Sequence, residues 1–130
     1  MAKTEAKTST KKKSPRLPAQ VTLAVAAADN KQAVNLVVLD LRTSAAFTDF
    51  FVIASGTNTR QVRAIADAVR EALADTGAKP AYVEGYDHSE WILLDYFDFI
   101  VHVFGPETRV FYDLERLWGN ADRIEVAAKR

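Results

Sequence analysis

Residues 84–104 read EGYDHSEWILLDYFDFIVHVF, and the stretch contains two apolar runs, Trp91–Leu94 and Phe99–Phe104. Only Asp95–Asp98 separate the two runs. Two runs rich in aromatic and branched side chains, joined by so short a connection, are most simply an antiparallel β-hairpin. The sequence therefore predicts a hairpin with a tight turn at Asp95–Asp98.

The same stretch combines acidic and aromatic side chains and contains no Lys or Arg. Its carboxylates are Glu84, Asp87, Glu90, Asp95 and Asp98, and its aromatic residues ahead of the second run are Tyr86, Trp91, Tyr96 and Phe97. An ordinary surface mixes both signs of charge, whereas aromatic anchors with a charged rim are typical of a protein interface. The pattern indicates a surface that receives a basic partner.

Apolar periodicity predicts the elements on either side of the hairpin. We expect helices over Ala19–Lys31, after Asn58 and from Pro106 onward, and strands at Leu36–Leu41, Phe50–Ala54 and Ala81–Tyr86. The order α-β-β-α-β-β-β-α predicts an α/β (α+β) fold, with a single mixed β-sheet of about five strands flanked by helices.

The helix after Asn58 has the clearest signature. Its apolar residues follow i, i+3, i+4 spacing and are Val62, Ile65, Ala66, Val69, Ala72 and Leu73. Asn58 and Gln61 resemble a capping box, and Gly77 occupies the place of a left-handed C-terminal cap. The last helix is expected to begin at Pro106 and to bury Val110, Phe111, Leu114, Leu117 and Trp118.

Composition divides the chain into a basic tail and an acidic domain. We expect a flexible basic tail over residues 1–18, one domain over 19–120 and a C-terminal tail over 121–130. Residues 1–16 contain six basic residues and one acidic residue, a net charge of +5. The other 11 basic and 16 acidic residues give residues 17–130 a net charge of −5. An acidic domain is a poor primary binder of nucleic acid, because affinity for phosphate comes from Lys and Arg.

Several classes of site find little support. The chain has no Cys, which excludes disulfides and thiolate chemistry, and it has no apolar run long enough for a membrane span or a secretory signal. A cytoplasmic location fits this composition. His88 and His102 lack the spacing of metal ligands, so no metal and no cofactor is expected, and His102 reads as a buried strand residue. Asp95 and Asp98 read as turn residues rather than as an acid–base pair.

Ser55-Gly56-Thr57 follows a strand and precedes a helix, where phosphates can bind. The segment lacks both the G-x-G-x-x-G pattern and the Lys of a P-loop. With Asp40 nearby in the sequence, it leaves open a nucleotide-binding enzyme of nucleotidyltransferase type. A homodimeric adaptor that uses Trp118 or the first helix as its contact is a further alternative.

Four segments resemble one known family. VVLDLR (37–42), FTDFFVIASGTNTRQVRAIADAV (47–69), VEGYDHSEWILLDYFDFIVHVF (83–104) and FYDLERLWG (111–119) are similar, in order, to the Iojap-like ribosomal silencing factors. The resemblance implies a nucleotidyltransferase-like fold and a regulator that is not an enzyme. It further implies binding to the large ribosomal subunit through ribosomal protein uL-fourteen, which blocks joining of the small subunit and represses translation under nutrient limitation.

Carried onto this chain, the contact surface of that family falls on the strand Trp91–Tyr96 and its turn. We expect Trp91, Leu93, Asp95 and Tyr96 to bind the partner, with Tyr86 and Glu84 at the rim. Two positions depart from the family's pattern, since Phe97 stands where Gly is usual and Asn35 where Asp is usual. If the turn requires a left-handed residue at Phe97, the cost is about 1–2 kcal/mol.

Overall fold

The computed structural model describes residues 17–44 and 46–126, without the side chain of Phe111. Within these residues it contains four helices: α1 (Ala19–Asn30), α2 (Thr59–Ala74), α3 (Pro106–Tyr112) and α4 (Leu114–Leu117). Its strands are β1 (Val34–Asp40), β2 (Phe50–Ser55), β3 (Tyr82–Glu84), β4 (Trp91–Asp95), β5 (Phe99–Phe104) and β6 (Asp122–Glu125). Most of the predicted basic tail lies outside the described residues.

The six strands form a single mixed sheet in the order β3-β4-β5-β2-β1-β6. Neighbouring strands are antiparallel except β5 and β2, which run parallel. The predicted fold class is confirmed, as is the hairpin of β4 and β5, in which Trp91 pairs with Phe104 and Asp95 with Ile100. Strand β6 is an addition, because it lies within residues 121–130, which the sequence analysis assigned to a tail.

Helices α1 and α2 cover one face of the sheet. The larger core lies between them, and from α2 it takes the residues of the predicted apolar stripe. Asn58 caps α2 as predicted, since its side chain accepts a hydrogen bond from the Gln61 backbone N–H at 2.9 Å. The Gln61 amide nitrogen donates to the carbonyl oxygens of Lys31 and Gln32, and these two bonds join the start of α2 to the end of α1.

The opposite face carries a second, smaller core. Its buried residues are Val37, Leu39, Leu41, Phe51, Ile53, Ile100 and Phe104. Leu114 and Trp118 pack against it from the C-terminal segment, and Trp91 and Leu93 pack against it from β4. The C-terminal segment therefore covers only part of this face, and the side chains that β3 and β4 present there stay partly exposed.

The predicted last helix is wrong in one respect, because it is divided. Asp113 adopts a left-handed conformation with φ 45° and ends α3, and its side chain then caps α4. Because the chain changes direction there, Val110 and Leu117 are exposed instead of sharing one buried face with Leu114 and Trp118.

Candidate docking surface

The strand β4 presents alternate residues to the two faces of the sheet. Ile92 and Leu94 are fully buried beneath the helices, whereas Trp91, Leu93 and Asp95 are partly exposed on the other face. Successive side chains of a strand point to opposite sides, so this alternation follows directly from the sequence. Three of the predicted partner-binding residues therefore share one surface.

The edge strand β3 adds two residues to that surface. Glu84 pairs with Leu93, and Tyr82 pairs with Asp95. The Tyr82 hydroxyl donates a 2.7 Å hydrogen bond to Glu84 Oε2, and this bond raises the pKa of the Tyr82 hydroxyl. We call this set (Tyr82, Glu84, Trp91, Leu93 and Asp95) the open face. Sequence reasoning missed Tyr82, although its place two residues before Glu84 on a strand was a usable signal.

Trp91 is held by an aromatic cluster at one end of the open face. Its indole ring lies 4.5 Å from the ring of Tyr112 and 5.0 Å from that of Phe104, measured between centroids. Its Nε1–H donates a 3.1 Å hydrogen bond to Nδ1 of His102. Trp91 is thus half-buried, with a fixed orientation and one part of its surface exposed.

His102 lies beneath this cluster and is buried, as the sequence analysis expected. Burial lowers the pKa of its imidazole to about 3. Because Nδ1 accepts the bond from Trp91, the neutral ring carries its proton on Nε2, which has no hydrogen-bond partner in the described structure. His102 therefore acts here as a neutral acceptor that orients Trp91.

Two predicted binding residues lie away from the open face. Tyr96 is only 9% exposed and stacks on Phe99 within the helix-covered core, with ring centroids 5.0 Å apart. The Tyr86 hydroxyl donates to the Asp67 carboxylate of α2, and the Arg63 guanidinium lies 5.3 Å from the Tyr86 ring centroid. Both tyrosines thus belong to the helix side of the molecule.

Gly85 explains why Tyr86 departs from the alternation of β3. Its φ is +79°, and a Cβ built on it would lie 2.0 Å from the carbonyl oxygen of Trp91. Only Gly fits this close crossing in a left-handed conformation. Beyond it the chain turns toward α2, where Arg63 donates to the Ser89 hydroxyl at 3.0 Å and to the Asp87 carbonyl at 3.1 Å.

The hairpin turn ends the open face at the other side. Phe97 has φ 71°, so the turn does require the left-handed conformation that the sequence analysis considered. Asp95 Oδ1 accepts a 2.8 Å hydrogen bond from the Phe97 N–H, and the Thr48 hydroxyl donates a 2.7 Å bond to the Phe97 carbonyl. Asn35, the other departure from the family's pattern, is also left-handed, with φ 51°.

The polar groups of Ser55-Gly56-Thr57 form hydrogen bonds within the chain. The Gly56 N–H donates to the Phe104 carbonyl at 2.9 Å, and the Thr57 N–H donates to Gln61 Oε1 at 2.7 Å. Asp40 forms an ion pair with Arg42 at 2.7 Å, and this bond lowers the pKa of the Asp40 carboxyl. The groups that would serve a nucleotide site are therefore engaged within the chain.

A cleft of about 670 Å³ lies beside Ser55, between β1, β6 and α3. At its wall the Arg109 guanidinium donates to the Ser55 hydroxyl at 2.8 Å and to the Glu115 carboxylate at 3.0 Å and 3.1 Å. Arg123 pairs with the same carboxylate. The bonds from Arg109, and next those from Arg123, lower the pKa of the Glu115 carboxyl. This network ties α3, α4, β6 and β2 together.

The described part of the chain holds neither a cluster of metal ligands nor a helix suited to cross a membrane. No group of three or more His, Asp or Glu residues there is arranged to hold a metal ion. Among residues 17–44 and 46–126, no helix has the length and apolar character that crossing a bilayer requires.

Comparisons with known proteins identify the family. A family model described as "Ribosomal silencing factor during starvation" matches residues 14–130. The chain is 38% identical over 104 residues to a ribosomal silencing factor of Halalkalibacterium halodurans, covering 80% of this chain and 89% of that protein. It is 31% identical to the mouse protein "Mitochondrial assembly of ribosomal large subunit protein 1", covering 65% of this chain and 38% of that protein.

A crystal structure of a Chromobacterium violaceum protein has the same fold. It superposes with a TM-score of 0.75 at 31% identity, covering 85% of this chain and 93% of the other. The family model spans nearly the whole chain, and the relatives agree with it in both sequence and fold. This chain therefore belongs to the family of ribosomal silencing factors.

Proposed function

We propose that this chain binds the large ribosomal subunit through the open face and sterically prevents the small subunit from joining, so that translation falls under nutrient limitation. Membership of the silencing factor family supports a role at the ribosome, and the description of that family supports starvation as the condition. The name of the mouse relative supports a link to the large subunit. The protein acts without catalysis and in the cytoplasm.

The observation that carries this proposal is the composition of the open face. Trp91 and Leu93 offer apolar surface that is already oriented by the strand, and Glu84 and Asp95 lie beside them. An interface of this kind gains affinity from buried aromatic and aliphatic groups and gains specificity and association rate from the charges at its rim.

The proposed contact is ribosomal protein uL-fourteen, as the family resemblance implies. Residues 17–130 carry a net charge of −5, which complements a basic ribosomal protein and repels the phosphates of ribosomal RNA. The carboxylates of the open face would pair with Arg or Lys of this partner. Trp91, Leu93, Asp95 and Glu84 are the residues that we propose bind it, together with Tyr82.

Sedimentation of purified subunits tests the proposal. Large and small subunits are mixed at a magnesium concentration that permits joining, with and without the protein, and are separated on a sucrose gradient. We expect separate subunits to persist and the protein to sediment with the large subunit. Unimpeded joining at saturating protein would refute the blocking role, and sedimentation with the small subunit alone would refute the choice of partner.

A matched pair of charge reversals separates the open face from the rest of the surface. Glu84→Lys alters the open face, whereas Glu71→Lys alters an exposed position on α2, on the opposite side of the sheet. We expect only Glu84→Lys to weaken binding to the large subunit, with an effect that shrinks at high salt because the rim charges are screened. If both reversals weaken binding equally, the net charge of the domain, and not the open face, determines binding to the large subunit.

A further inference from the structure

Two exposed phenyl side chains lie on neighbouring loops at the turn end of the hairpin. Phe97 is 75% exposed and Phe47 is 77% exposed. Their loops are joined by the bond from the Thr48 hydroxyl to the Phe97 carbonyl, and by a 3.0 Å bond from the Asp49 N–H to the Asp98 carbonyl. We call these two residues, with Asp49, Asp95 and Asp98, the phenyl patch.

The backbone at Phe97 is unfavourable for a residue with a side chain. At φ 71° a Cβ crowds the neighbouring carbonyl oxygen, and a bulky residue is uncommon there. The side chain gains little burial in return, because Phe97 is 75% exposed. Neither local conformation nor packing within the chain explains a Phe at this position, and strained residues of this kind often mark binding sites.

The turn is nevertheless firmly built around that residue. The Phe97 N–H donates to Asp95 Oδ1 at 2.8 Å, and its carbonyl accepts from Thr48 at 2.7 Å. The Tyr96 N–H donates to the Phe99 carbonyl at 2.9 Å. The backbone on both sides of Phe97 is thus fixed, and the phenyl ring is presented to solvent from a rigid support.

The surroundings of the two rings are acidic. The loop residues 46–49 and 95–98 contain three Asp and no Lys or Arg. Arg42 is paired with Asp40, which raises the pKa of its guanidinium, and Asp49 adds a smaller contribution to that shift. Guanidinium and ammonium groups bind over phenyl rings and beside carboxylates, whereas phosphate is repelled here. This chemistry fits a basic protein segment.

We propose that the phenyl patch is a second contact for the basic ribosomal protein, in which Arg or Lys side chains lay their stems on Phe47 and Phe97 and their charges against the aspartates. The proposal rests on the proposed function. Asp95 belongs both to the open face and to the support of the Phe97 turn, so one partner can cover both surfaces continuously.

Binding and stability should respond in opposite directions to the substitution of Phe97. Phe97→Asn and Phe97→Gly suit a left-handed residue better, so we expect the melting temperature to stay level or rise. We expect both variants to bind purified large subunits at least tenfold more weakly than the parent chain. Phe97→Tyr keeps an aromatic ring that can contact the same basic side chain, so its affinity for large subunits should stay within about threefold of that of the parent chain.

Phe47→Ser tests the other ring, and Val110→Ser is its control, since Val110 is equally exposed and lies on α3. We expect only Phe47→Ser to weaken binding. If Leu93→Ala weakens binding while Phe97→Asn and Phe47→Ser leave it unchanged, the phenyl patch proposal is overturned and the proposed function stands. If the parent chain does not bind large subunits at all, both are overturned. If Phe97→Asn and Phe47→Ser also weaken binding to large subunits that have been stripped of their proteins, so that only RNA remains, the choice of a protein partner is overturned.

Discussion

Nδ1 of His102 accepts a hydrogen bond from the indole N–H of Trp91, across the antiparallel pair β4 and β5, at 3.1 Å. The bond joins the only Trp of the open face to a buried imidazole that must stay neutral to accept it. Protonation of Nδ1 would replace the acceptor by a second donor. The orientation of the main apolar group of the open face therefore depends on the charge state of a residue beneath it.

Stability should fall in mild acid because of His102. Burial lowers the pKa of the folded-state imidazole from 6.5 to about 3. Between these values the unfolded chain binds a proton that the folded chain does not, so the free energy of unfolding decreases as pH drops below 6.5. We expect a loss on the order of 1–2 kcal/mol between pH 6.5 and pH 5, before carboxylates contribute strongly. Urea unfolding at the two pH values measures it.

Two histidine variants make that measurement specific. His102→Gln keeps an acceptor for the Trp91 N–H and has no titrating ring, so the loss between pH 6.5 and pH 5 should shrink. His88→Gln replaces an exposed histidine and should keep the loss of the parent chain. An unchanged loss in His102→Gln would show that another group causes it.

Trp91→Phe should destabilise the fold by about 1–3 kcal/mol, because it leaves the buried Nδ1 of His102 without its donor. His102→Leu removes the acceptor instead. If the bond is the cause, the double variant should lose less than the sum of the two single losses, as a double-mutant cycle of chemical denaturation would show. Strict additivity would mean that the two side chains act independently.

Glu115→Gln should destabilise the C-terminal segment, with a loss on the order of 2–4 kcal/mol, because it removes the charge that balances the buried Arg109. Glu125→Gln is the matched control, since Glu125 is largely exposed and its side chain pairs with Arg123 at 3.4 Å, and its effect should stay within about 0.5 kcal/mol. Thermal unfolding of both variants supplies the comparison.

The pH dependence of the same ion pair has a definite sign. The pKa of Glu115 is lowered from 4.5, chiefly by Arg109. Its contribution to stability is therefore complete above pH 4.5 and is lost as pH falls below that value. In Glu115→Gln this part of the loss of stability at low pH should be missing. If the variant loses as much stability below pH 4.5 as the parent chain does, Glu115 is not the cause.

Gly85→Ala and Gly77→Ala compare two glycines with nearly the same backbone conformation. Both have positive φ, at +79° and +87°, so both substitutions incur the cost of a left-handed alanine, about 1–2 kcal/mol. At Gly85 the added Cβ also meets the Trp91 carbonyl oxygen at 2.0 Å, while no atom of the described residues lies within 4 Å of a Cβ built on Gly77. We expect thermal unfolding to show a markedly larger loss of stability for Gly85→Ala than for Gly77→Ala. Equal losses would mean that the backbone at Gly85 does not lie so close to the Trp91 carbonyl oxygen.

Leu93→Ala should weaken binding to purified large subunits by about tenfold, because it removes apolar surface from the centre of the open face. Val110→Ala truncates an exposed side chain on α3 and should bind like the parent chain. Circular dichroism of both variants checks that they are folded. Normal binding by a folded Leu93→Ala would exclude Leu93 from the contact.

The sequence by itself determined the elements that depend on local patterns. The stripe of α2 and its Asn58 cap, the hairpin at Trp91–Phe104 and the alternation along β4 all follow from the spacing of neighbouring residues. A period of two fixes which side chains share a side of a strand. The likeness to nucleotidyltransferases stays a prediction.

Only the tertiary structure decided which side of the sheet is covered, because that depends on where α1 and α2 pack. This choice buries Tyr96 and leaves Trp91, Leu93 and Asp95 on the open face. Tyr86 lies beyond the strand, where Gly85 redirects the chain and α2 supplies Asp67 and Arg63 as partners. Strand β6 forms by pairing with β1, a contact between residues about 85 positions apart along the chain, which no local pattern encodes.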